Sequence, residues 1–173
     1  MNETLEMVKY ILPTLAILIT AYLVMKLYIE NDQKKRTNDL MLASRKTVTP
    51  LRFQAYERIV LFLERITPSN LILRVAEAEM TAADLQATLV STIRQEYEHN
   101  LSQQLYLSSQ AWELVKTAKE DMIQLINASA SRLNETASGT DLAKLIFEQS
   151  IQQGTTPINM ALEFVKKEIR LLF

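Results

Sequence analysis

Hydrophobic and polar positions follow two different patterns along this chain. From Tyr10 to Met25, YILPTLAILITAYLVM, sixteen residues pass without a charge, closed by Lys9 before and Lys26 after. With Val8, Leu27, Tyr28 and Ile29 the apolar body reaches about 20 residues, enough at about 1.5 Å each to cross a hydrocarbon core. The run is apolar on every face, whereas a core helix keeps one polar side. A basic leader and a small-residue cleavage site are both missing, so it reads as an uncleaved anchor and not a signal peptide. Tyr10, Leu12, Ile17, Leu18, Ile19, Tyr22, Leu23, Met25 and Tyr28 are its predicted lipid-facing residues, with the tyrosines near the ends, where amphipathic rings prefer to sit.

Beyond Ile29 the apolar residues recur every three or four positions, the mark of amphipathic helices. Glu30 to Thr47 comes first, a charged interval with only Leu40, Met41, Leu42 and Ala43 apolar. It reads either as a solvated continuation of the anchor helix or as a linker. Thr49-Pro50 then predicts a helix start, Thr as N-cap and Pro at N1, with Leu51, Ala55, Ile59, Phe62, Leu63 and Ile66 on one face. Thr67-Pro68 opens a short helix carrying Leu71, Ile72 and Val75. Thr81 and Asp84 form a variant capping box. After it Leu85, Leu89, Ile93, Tyr97, Leu101 and Leu105 repeat every four residues, predicting one helix of about six turns. A corner at Tyr106 to Ser109 precedes a helix from Gln110 to about Ala137, which turns Ala111, Val115, Ala118, Met122, Leu125 and Ile126 inward. Asp141 to Gln153 and Ile158 to Phe173 complete the set.

Composition narrows the fold class. Only two Gly and four Pro occur in 173 residues, and none of them between Ser69 and Ser138; strands joined by tight turns need such residues more often. Gly139 and Gly154 fall where apolar periodicity stops, as residues just past a helix end do. The fold expected is all-α: an N-terminal transmembrane helix followed by a small helical bundle of about four to six helices. The organisation expected is an anchor over 1–29 with a short outside N-terminus, a charged stalk or linker over 30–48, and a cytoplasmic helical domain over 49–173.

Charge sets the orientation and bears on partners. The net charge is −1, distributed as −1 over 1–25, +4 over 26–65 and −4 over 66–173. Lys26, Lys34, Lys35 and Arg36 crowd the C-terminal flank of the span, and cytoplasmic flanks collect such residues. The same four are candidate contacts to anionic headgroups. A single-pass topology follows, N-terminus outside, with the C-terminal domain in the cytoplasm. No basic aromatic-rich patch appears in the distal part, so nucleic acid is not an expected partner.

Candidate chemistry is sparse. With no Cys, disulfides and thiolate metal sites are excluded. Glu96-x-x-His99 resembles half of a di-iron helix motif, but such sites need two of these motifs and two further Glu. The chain has a single His, so Glu96 and His99 are weak metal candidates and a metal-dependent enzyme is a remote alternative. No phosphate loop or nucleophile elbow is present. Catalytic residues, cofactors and a small-molecule substrate are therefore not predicted. Tyr97, Tyr106 and Trp112 are core residues by default, and partner anchors if exposed among apolar neighbours. Ala16 and Thr20 form one small-xxx-small pair in the span.

Two segments, LRFQAYERIVLFLERITPSNL (51–71) and IRQEYEHNLSQQLYLSSQAWELVKTAKEDMIQLIN (93–127), resemble an uncharacterised family of single-span, helical inner-membrane proteins from Bacteroidota bacteria. The resemblance implies an inner-membrane address and brings no catalytic residues. The function expected is a non-catalytic, membrane-anchored scaffold or adaptor. It would bind other membrane or cytoplasmic proteins, or a second copy of itself; the alternative is an accessory subunit of a larger inner-membrane complex.

Overall fold

The computed structural model describes residues 2–152, 154 and 156–171, without the side chains of 2–12, 14, 44 and 45. The described residues form six α-helices and no strand: α1 (Asn2–Arg65), α2 (Pro68–Val75), α3 (Ala82–His99), α4 (Ser109–Ala130), α5 (Gly139–Gln152) and α6 (Pro157–Leu171), with a 3-10 turn at Leu101–Leu105. The protein is all-α. It divides into two compact units, Met1–Thr49 and Pro50–Phe173.

In the first unit the stretch 30–48 is helical throughout. It contains no breaker, and its turns are tied by local bonds: Arg36 Nε to Asp32 Oδ2 at 2.9 Å and the Thr37 hydroxyl to the Gln33 carbonyl at 2.9 Å. The helix start expected at Thr49-Pro50 is therefore absent, and α1 runs through it. A proline there withholds one N–H from the carbonyl four residues back. Among the described residues no helix is long and apolar enough to cross a membrane. Of the predicted span, the side chains of 10–12 and 14 lie outside the described residues. What remains, Leu15 to Ile29, is short of the roughly 20 residues a bilayer requires.

In the second unit α4 packs against α3, α5 and α6, while α2 packs on α3 and α5. Its core joins Tyr56, Ile59, Phe62 and Leu63 of α1 to Leu85, Leu89 and Ile93 of α3, Val115, Met122 and Ile126 of α4, and Val165 of α6. Helix starts follow their capping residues: Ser108 Oγ accepts from Ala111 N at 3.1 Å, and Thr156 Oγ1 from Asn159 N at 3.3 Å. Thr67 precedes α2 as expected, but its hydroxyl donates back to the Glu64 carbonyl at 2.8 Å instead of capping.

Three boundaries differ from the periodicity reading. Helix α3 stops at His99 and does not continue to Leu105. Asn100 ends it by donating its side-chain amide to the Glu96 carbonyl at 2.8 Å, and the 3-10 turn that follows throws Leu105 outward, 80 % exposed. Helix α4 stops at Ala130, where Ser131 Oγ donates to the Ala128 carbonyl at 2.9 Å; serine offers the backbone a bond that competes with the helix ladder. Gly139 does not follow a helix; it is the first residue of α5, pressed against Met80, whose carbonyl accepts its N–H at 2.7 Å.

Candidate functional site

Glu96 points to the junction of three helices and is met there by two arginines. Arg65 Nη2 of α1 lies 2.6 Å and Arg74 Nη1 of α2 lies 3.2 Å from the same oxygen, Glu96 Oε1. A third guanidinium stands nearby, since Arg58 Nε donates to Asn100 Oδ1 at 3.2 Å and its Nη2 to the His99 carbonyl at 3.5 Å. His99 is exposed at the end of α3. The two residues of the metal-like motif thus part company: Glu96 neutralises arginines and His99 faces solvent. No group of three or more His, Cys, Asp or Glu suited to a metal exists among the described residues.

Glu57 and Glu64 lie at i−4 and i+3 from Leu61, so this side of α1 carries both signs of charge. Among the described residues Arg58 is met by neutral acceptors, one of them at the C-terminal end of α3, whose dipole offsets part of its charge. Arg58, Leu61 and Arg65 stand at i, i+3 and i+7 on α1 and so share one face, and Leu61 between them is 56 % exposed.

The aromatic candidates turn inward. Trp112 is only 8 % exposed and stacks on Tyr97, ring centroids 5.5 Å apart, while Tyr97 meets Phe62 at 6.1 Å. Lys119 Nζ sits 4.4 Å above the Tyr97 ring, a cation–π contact. Tyr106 is half-buried and gives its carbonyl to Arg52 Nε at 3.3 Å. Trp112 in particular is core and offers no surface to a partner.

A second polar junction holds the opposite side of α1. Tyr56 OH donates to Glu168 Oε1 at 2.7 Å and Ser108 Oγ to Glu168 Oε2 at 2.9 Å, so one carboxylate joins α1, the start of α4 and α6. The Tyr56 hydroxyl is pushed up to about 12, first by burial and then by the bond to and charge of Glu168, with Arg52 pulling the other way.

Of the predicted anchor residues, Ile17, Leu18, Ile19, Tyr22, Leu23, Met25 and Tyr28 are all exposed on α1, as are Lys26, Lys34, Lys35 and Arg36 beyond them. Tyr10 and Leu12 lie outside the described side chains. The model of a family described as a family of unknown function (DUF7935) matches residues 2–172. The chain belongs to that family. No curated protein and no solved structure matches it. The DUF7935 match takes in both units.

Sequence reasoning passed over Arg58, Arg65 and Arg74 in this DUF7935 chain. Their only signal was Arg-x-x-Leu-x-x-x-Arg along α1, a spacing that any solvated helix face can carry.

Proposed function

We propose that the protein is a membrane-anchored scaffold or adaptor at the cytoplasmic face of a bacterial inner membrane, with residues 10–29 as its single span and no catalysis of its own. One observation carries this reading. Leu15, Ile17, Leu18, Ile19, Leu23, Val24, Met25, Leu27 and Ile29 are each half exposed or more, and they occupy every face of α1. Water penalises such a surface at about 25 cal/mol per Å², whereas lipid does not. The Thr20 hydroxyl donates to the Ala16 carbonyl at 2.8 Å, which satisfies it inside the helix, as a hydrocarbon surrounding demands. The lysines and Arg36 that follow suit a cytoplasmic, anionic leaflet.

An interaction role is supported by where the polar groups go. Among the described residues Glu96, Glu168 and Glu64 bridge helices, engaged by arginines, by hydroxyls and by Lys166 respectively. Fractionation with protease treatment tests the anchor: the chain should require detergent for release, and protease outside intact spheroplasts should spare the domain. Release by salt alone, or digestion of the domain from outside, would overturn the reading.

A further inference from the structure

We draw no further inference here: the strongest candidate, the cleft where the first turns of α2 and α6 converge, lined by Thr67, Asn70, Thr156, Asn159 and the acidic Glu64, rests on two helix N-termini with no buried unpartnered side chain among its lining residues to point to a ligand.

Discussion

Thr81 and Ser138 face each other in an antiparallel bridge, and each is also the residue from which a helix starts. Their neighbours complete the pairing, Ala82 N to the Ala137 carbonyl at 2.9 Å and Gly139 N to the Met80 carbonyl at 2.7 Å. Each then repeats one piece of chemistry. Thr81 Oγ1 donates to Asp84 Oδ2 and Ser138 Oγ to Asp141 Oδ2, both at 2.7 Å, while the aspartate N–H groups donate back at 3.1 and 3.2 Å. Helices α3 and α5 thus leave a common knot, each sending a fully buried leucine, Leu85 and Leu142, into the core one residue after its aspartate.

Gly139→Ala should loosen that knot. A Cβ there would sit 3.0 Å from the Met80 carbonyl oxygen and 3.5 Å from Leu85 Cδ2, and a backbone oxygen has little room to yield. Overpacking of this kind costs about 1–3 kcal/mol. Chemical denaturation should show the midpoint falling with an unchanged slope, and an unaltered midpoint would refute the contact.

Glu79→Gly should have the opposite sign. Glu79 holds φ at 71° just before the bridge, a conformation that costs a side-chain-bearing residue about 1 kcal/mol and glycine almost nothing. Thermal unfolding of the variant should move up by a few degrees for a domain of this size, roughly 4–8 °C per kcal/mol at most.

Trp112 is the single tryptophan and stacks on Tyr97. Its emission should be blue-shifted in the folded protein and move red as the second unit unfolds. Trp112→Ala empties the site and should cost about 3–5 kcal/mol, a large share of a typical domain's stability. Trp112→Phe, which keeps a ring against Tyr97, should cost less, as circular dichroism in denaturant can measure.

Alkaline pH should weaken the second junction. The folded Tyr56 hydroxyl is raised to about 12 from an ordinary 10.0. A group raised on folding stabilises fully below its unfolded value, and that contribution disappears as pH climbs through the folded one. Stability should therefore decline between about pH 10 and 12, with that component missing in Tyr56→Phe. The variant should also lose about 1 kcal/mol at neutral pH with its bond to Glu168. Denaturation midpoints across the alkaline range measure both effects.

Several features were legible from local chemistry. Thr81 with Asp84 marks a helix start, because a cap acts within three residues of itself. The buried faces of α4 and α6 were legible too, since Val115, Met122, Ile126 and Val165 fall at helical spacing. Misread ends had competing local signals: the four-residue stripe ran past His99 to Leu105, while the bond from Asn100 to the Glu96 carbonyl stops α3.

By itself the sequence determined an all-α chain, the faces its helices bury and an apolar N-terminal run apart from the amphipathic remainder. These depend on periodicity, composition and caps, which are properties of neighbours in the chain. Only the tertiary structure decided that Glu96 serves two arginines, that Glu168 joins Tyr56 to Ser108 across 112 and 60 positions, and that Gly139 opens a helix against Met80. Each of those partnerships is set by which helix lies beside which, and no spacing along a chain encodes a contact made between distant turns.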